Sequence, residues 1–199
     1  MRLLLLIIGL LISQCIFEAS IPIVKIVPDE VIVVVDNDRE PIVHCLATMI
    51  YGEAAGEPEL GKIAVAYTAK NRAKGDNKGI CKEVLKPMQY SVFNGNAALK
   101  QVALTSETLP FKIKHHNDRM CWKMTIQEIA WEKCKHAAEL VYDGLVKDPA
   151  KGATGYIAPK LMALRGYHMP HWTKVYEEVI TIKDHVFFRP ATKTKVIKI

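Results

Sequence analysis

Two acids stand four residues apart in an unusually small-residue setting, Tyr51-Gly52-Glu53-Ala54-Ala55-Gly56-Glu57. Glu53 closes a strongly apolar stretch. A carboxyl group against an apolar wall has its charged form disfavoured. It can then hold a proton near neutral pH and pass it to a leaving oxygen. The Gly and Ala neighbours let a bulky ligand approach the backbone. Glu57 would share a face with Glu53 if the helix continued, and the two charges would repel. The plainer alternative is a solvated helix end.

Other side chains could complete a site. Gln89, Tyr90 and Ser91 can hydrogen-bond and stack on a ring-shaped ligand, and Tyr156 and Trp172 offer flat apolar faces. Each also fits ordinary packing. His168, His171 and His185 titrate near neutrality in an open setting, although His185 in a strand reads more simply as structural. His115, His116, Cys121, Cys134 and His136 cluster in the sequence, but no CxxC or HExxH spacing appears. Cys134 and His136 are two apart and would diverge on a helix. We therefore assign no metal and no cofactor.

The elements that must position these residues can be read from periodicity. Asn37 and Glu40 have capping-box spacing, Pro41 suits a first turn, and apolar residues from Ile42 to Ile50 recur at helical intervals. This predicts a buried helix over 41–54. A second helix is expected from Pro58 to Arg72, with Gly75 just beyond its end. A short apolar helix is expected near Cys81–Leu85. Thr125 and Glu128 form a capping box ahead of a stripe of Ile126, Ile129, Ala130, Ala137, Leu140 and Val141, which runs until Gly144. Residues 105–120 read as a loop and 152–156 as a turn or irregular segment. Val175–Ile182 and His185–Phe188 read as a hairpin about Lys183-Asp184. Helices come first and strands last, which predicts an α+β class.

The flanks carry different signals. Arg2 precedes ten almost wholly apolar residues, Leu3–Ile12. That run is short for a bilayer span and fits a signal peptide, or an N-terminal anchor that holds the protein at a membrane. Residues 21–36 are β-branched and broken by Pro28, as in an extended arm of one or two strands. The expected organisation is therefore 1–20 leader or anchor, 21–39 arm, 40–190 catalytic domain and 191–199 basic tail, with Lys193, Lys195 and Lys198. The chain has 199 residues and a net charge of +6. Residues 1–20 hold one Arg and one Glu, so that charge belongs to the rest. A basic surface suits nucleic acid, an anionic membrane or an anionic wall polymer. The leader, and the lack of a helix-turn-helix or aromatic-basic RNA motif, argue against nucleic acid. In an exported protein Cys45, Cys81, Cys121 and Cys134 can pair in three ways.

The segment Ala47–Pro58, centred on Tyr51-Gly52-Glu53-Ala54-Ala55-Gly56-Glu57, resembles the opening motif of the SleB-type cell-wall hydrolases, the spore-cortex-lytic enzymes and their phage and bacterial relatives. The likeness continues in order. Gly61–Ala66 with Asn71-Arg72 resembles the second helix. Ile80–Leu85 and Gln89-Tyr90-Ser91 resemble the Cys-bearing segment and the Gln-aromatic-Ser motif. Asp148-Pro149 and Gly152–Pro159 resemble the Gly-Ala-Thr loop. Pro170-His171-Trp172 and Ile182–Phe188 resemble the Pro-x-Trp and His-x-Phe elements. Departures are Gly155, where an aromatic or His is frequent, and Ala158, where Asn is common. The segment 95–124 has no evident counterpart.

The resemblance implies a lysozyme- or transglycosylase-like fold with a helical core and a C-terminal β-hairpin. It implies an enzyme acting on peptidoglycan glycan strands, at the β-1,4 bond between N-acetylmuramic acid and N-acetylglucosamine. Glu53 takes the place of the catalytic acid. Glu57, Gln89, Tyr90, Ser91, Thr154, Tyr156 and Trp172 take supporting, substrate-binding places. One Glu suffices for a lytic transglycosylase, in which the muramic C6 hydroxyl attacks in place of water. Hydrolysis of the same bond usually needs a second carboxylate, and an i,i+4 pair on one helix does not readily flank a sugar from opposite faces. A muramidase-type hydrolase, or a non-catalytic wall-binding or virion structural protein with this fold, are the alternatives.

Overall fold

The computed structural model describes residues 23–27, 30–34, 36–105, 109–110 and 125–191. The leader 1–20, His115, His116, Cys121 and the tail lysines 193, 195 and 198 lie outside the described residues. The chain divides into two units, Met1–Asn37 and Asp38–Ile199. In the first, β1 (Ile23–Val27) and β2 (Glu30–Val34) pair antiparallel, Ile23 opposite Val34 and Val27 opposite Glu30.

The second unit is built around one helix, α1 (Arg39–Ala54). Every residue from Ile42 to Ile50 is buried, polar His44 and Thr48 included. A helix apolar all round cannot lie on a surface, and α2 (Glu59–Arg72), α3 (Ile80–Val84), α4 (Ala97–Leu104) and α5 (Ile126–Tyr142) all pack on it. Each of the fully buried side chains Val43, Leu46, Met49 and Ile50 stabilises this arrangement by about 1.5–3 kcal/mol. Thr48 returns its hydroxyl to His44 O at 2.9 Å. The His44 ring meets Val102 O at 3.0 Å, which ties α4 to α1. The carbonyl can only accept, so Nε2 carries the proton. A disulfide joins Cys45 of α1 to Cys81 of α3, and Cys134 is a buried free thiol.

The start of α1 differs from expectation. Its N-cap is Asp38, which makes no side-chain cap bond. The helix end is held instead by Arg39, whose Nε and Nη2 donate to the two oxygens of Asp143 at 3.0 and 2.7 Å, beyond the end of α5. The expected capping box of α5 is complete: Glu128 N–H donates to Thr125 Oγ1 at 3.2 Å, and Thr125 N–H to Glu128 Oε2 at 2.6 Å. Ala137 and Val141 of the expected stripe are buried, but in the first turns of the helix the buried face is shifted. Trp131, Cys134, Ala138 and Val141 face the core, while Ile126 is 87 % exposed and Ile129 42 %. Ile126 and Ile129 instead line a surface cavity, across from Pro58, Glu59 and Lys62 at the start of α2.

A three-stranded antiparallel sheet in the order β3-β5-β4 follows, which gives the α+β class. It comprises β3 (Gly155–Ile157), β4 (Tyr176–Ile182) and β5 (His185–Pro190). Gly155 and Tyr156, expected to be irregular, belong with Ile157 to a strand because Tyr156 and Ile157 pair with Phe187 and Val186 of β5. The hairpin turns at Lys183-Asp184 as expected, with Lys183 in the left-handed region at φ +49°. The short helix α6 (Pro159–Leu164) has no counterpart in the sequence reading.

Polar side chains from the end of α2 dock the sheet on the helices. Asn71 Nδ2 donates to Asp148 Oδ2 at 3.0 Å and to Ala153 O at 2.9 Å. Asp148 in turn accepts from the N–H groups of Ala150 and Gly152, each at 2.7 Å. Arg72 Nε donates to Thr154 O. The loop 148–154 is thus pinned from inside, and β3 enters the sheet at a fixed height.

Candidate active site

Glu53 lies in the last turn of α1, and two distant segments converge on its carboxylate. Ser91 Oγ and Val92 N–H donate to Oε1 at 2.9 and 2.7 Å. Tyr156 OH donates to Oε2 at 2.9 Å. The first two come from the 3₁₀ turn Ser91–Phe93, whose Phe93 is buried in the core. The third comes from the middle of β3.

Gly52 makes this approach possible. A Cβ there would lie 2.0 Å from Val92 Cγ2. The glycine therefore admits a protein side chain, not the ligand envisaged from the sequence. Around Gly56, by contrast, nothing lies within 4 Å of such a Cβ.

The two oxygens of Glu53 are not equivalent. A backbone N–H can only donate, so Oε1 is held as an acceptor. A proton on the carboxyl group therefore belongs on Oε2, facing a phenol that can donate or accept. Burial, and next the negative charge of Glu53, raise the Tyr156 pKa well above its ordinary value, so this phenol stays protonated.

The remaining residues singled out in the sequence take distinct places. Tyr90 is 3 % exposed, a core residue beneath the site and not an open platform. Its OH is 3.2 Å from Thr68 Oγ1, the Arg72 guanidinium lies over its ring at 5.5 Å, and its ring is 6.5 Å from that of Tyr156. Burial pushes its hydroxyl up to about 12. Gln89 is exposed on the turn before it. Thr154 gives its backbone to the scaffold, its N–H to Phe188 O at 2.9 Å and its carbonyl to Arg72. Trp172 packs edge-on against Tyr176 and Phe188, each at 5.4 Å, and a Cβ on Gly155 would meet its ring at 3.3 Å. Gly155 thus makes room for Trp172.

Glu57 does not share a helical face with Glu53, because α1 stops at Ala54 and Pro58 caps α2. Its side chain is 8 % exposed and faces His185 Nδ1 at 3.7 Å and Lys183 Nζ at 3.9 Å. Lys62, 3 % exposed, donates to Glu57 O, and its pKa is lowered by burial. Among the described residues no group of three or more His, Cys, Asp or Glu could hold a metal ion.

A family model, that of the Cell Wall Hydrolase, matches residues 56–188, about two thirds of the sequence. The chain belongs to the cell wall hydrolase family. The match takes in Glu57, Gln89, Tyr90, Ser91, Thr154, Tyr156 and Trp172, and it opens three residues after Glu53. Neither a curated protein nor a solved structure matches the chain. Membership makes this cell wall hydrolase a peptidoglycan-acting enzyme, wall-associated or exported. No helix among the described residues is long and apolar enough to cross a membrane.

Sequence reasoning missed three parts of the site. Val92 contributes a backbone N–H, which no side-chain pattern reveals. His185 meets Glu57 across 128 residues of sequence. Gly52 pointed to a close approach, but not to what approaches.

Proposed function

We propose that the protein is a lytic transglycosylase that cleaves the β-1,4 bond between N-acetylmuramic acid and N-acetylglucosamine, with Glu53 as its single acid and base. The observation that carries this reading is the cradle of Ser91, Val92 and Tyr156 around one carboxylate, while Glu57, the other acid of the motif, is packed against His185.

The steps follow from the two unlike oxygens. Glu53 Oε2 gives its proton to the glycosidic oxygen as the C1–O bond breaks. Positive charge then develops on the sugar ring, and the ionised carboxylate is held by three donors. The C6 hydroxyl of the same muramic residue attacks C1 and returns its proton to Oε2. The product carries a 1,6-anhydro end and the enzyme regains its starting state. No water is consumed, so no second carboxylate is required to activate one.

The test is mass spectrometry of fragments released from purified peptidoglycan. Anhydro ends are expected from the wild type and none from Glu53→Gln. Ends heavier by one water would identify a hydrolase. Equal release by both proteins would remove Glu53 from the mechanism.

A further inference from the structure

Glu57 and His185 place complementary polar atoms in an enclosed space without joining them. Each side chain is 8 % exposed, and Glu57 Oε1 lies 3.7 Å from His185 Nδ1. Neither Glu57 Oε2 nor His185 Nδ1 has a hydrogen-bond partner among the described residues. Buried polar groups are rarely left unpaired, because desolvation then goes uncompensated. A shift of under about 1 Å would close a normal Nδ1–H···O bond between them.

Both partners are fixed from behind. Glu57 N–H donates to Ala54 O at 3.0 Å, which holds it in the link from α1 to α2. Its side chain lies on Gly61, where a Cβ would come within 3.0 Å of Glu57 Cβ and 3.2 Å of Oε2. His185 opens β5 opposite Ile182. Two residues on, Phe187 pairs with Tyr156, so period-two alternation puts His185, Phe187 and Tyr156 on one sheet face.

The imidazole stands edge-on to the Tyr156 ring at 5.0 Å and 86°, and Phe187 lies 5.7 Å from the same ring. The Tyr156 hydroxyl is the group that meets Glu53 Oε2. Moving His185 therefore moves the ring that aims at the proton-bearing oxygen.

We propose that Glu57 and His185 form a buried positioning pair, in which an Nδ1–H···carboxylate bond locks the imidazole against Tyr156 and through that phenol orients Glu53 Oε2. This rests on Glu53 being the acid. The pair touches no substrate atom. The other charged or titratable groups facing it are Lys62 from α2, Lys183 and Asp184 from the hairpin turn, Glu53 from α1 and Tyr156 from β3. Lys183 also donates to Gly56 O at 2.9 Å, one residue before Glu57.

The experiment measures kcat and KM on peptidoglycan, with melting temperature as a folding control. The proteins are wild type, His185→Phe, Glu57→Leu, Tyr156→Phe, the double variant His185→Phe/Tyr156→Phe, and Glu53→Gln. His185→Phe keeps a ring against Tyr156 and deletes Nδ1. We expect His185→Phe and Glu57→Leu each to lower kcat about tenfold or more, as small misplacements of catalytic groups do, with KM changed less than about twofold. The double variant should be no slower than Tyr156→Phe alone, because the pair acts through that phenol. Additive losses in the double variant, or wild-type kcat in a folded His185→Phe, would overturn the pair. Wild-type turnover by Glu53→Gln would instead overturn the reading beneath it. Should the variants not fold, ¹⁵N chemical shifts of His185 in the wild type decide: the pair requires Nδ1–H near neutral pH, and an Nε2–H tautomer with bare Nδ1 rules it out.

Discussion

Gly52 and Val92 interlock, with room for one side chain where two backbones meet. A Cβ on Gly52 would sit 2.0 Å from Val92 Cγ2 and 2.7 Å from Val92 Cβ. The same valine donates its N–H to Glu53 Oε1. Packing and chemistry therefore share a single contact. Gly52→Ala must push the 91–93 turn off α1, at a cost of about 1–3 kcal/mol typical of overpacking. It should lower the melting temperature and cut turnover at least about tenfold. Gly52→Ala/Val92→Ala removes the 2.0 Å contact and keeps the one at 2.7 Å, so rescue should be partial. Full activity in Gly52→Ala would show that the turn tolerates displacement.

The two sides of the Glu53 carboxylate should respond unequally to loss of a donor. Ser91 shares Oε1 with the Val92 N–H, whereas Tyr156 is the donor to Oε2. A hydrogen bond to a charged group contributes about 1.5–3 kcal/mol, which is roughly tenfold to a hundredfold in rate. Tyr156→Phe should lose that much in kcat. Ser91→Ala should lose less, since the backbone donor remains. Steady-state rates on peptidoglycan rank the two, and a reversed order would mean that Oε1 carries the proton.

The sequence makes the helices legible more readily than the site. The Thr125-Glu128 box and the apolar run of α1 are local signals, and both elements form where those signals place them. The buried face of α5 is less legible. Periodicity shows that a stripe exists, but which side is covered is decided by how α5 packs on α1 and α2, and there Trp131 is buried while Ile126 is not. β3 is three residues long and owes its existence to pairing with β5, which no local pattern encodes. Glu53 stands out in the sequence because its neighbours are small. Ser91 and Tyr156 are candidates by residue type, but that they meet on the Glu53 carboxylate is not legible, since they lie 38 and 103 residues away. The shared face for Glu57 and Glu53 is conditional on a continuing helix, and the helix ends at Ala54, as the boundaries read from the sequence have it.

The Cys45–Cys81 disulfide closes a separation of 36 residues between α1 and α3. Chain-entropy reasoning gives about 4 kcal/mol for a loop of this size. Reduction, or Cys45→Ala/Cys81→Ala, should therefore lower the melting temperature by many degrees and shift urea unfolding to lower concentration. Cys134 should not interfere. It is fully buried, and burial pushes its thiol up to about 11, so it should resist thiol reagents until the protein unfolds. A melting temperature unchanged by reductant would mean that the helices hold α3 without the cross-link.

Acid should destabilise the fold through its buried histidines. Burial lowers the pKa of His44, against the carbonyl of Val102, which favours the protonated ring. Burial likewise lowers that of His185, against Glu57 and then Glu53, which oppose it. Unfolding returns both rings to about 6.5. Below that pH the unfolded chain binds protons that the folded one refuses, so stability falls as pH drops from about 6.5 and levels off at the lower, folded values. While both rings remain neutral in the fold, each can add up to about 1.4 kcal/mol per pH unit to the slope. His44→Gln separates its share. Gln can keep a donor toward Val102 O and cannot titrate, so urea midpoints measured between pH 7.5 and 5 should fall less steeply than in the wild type. Parallel slopes for the two proteins would show that His44 is protonated inside the fold as readily as outside it.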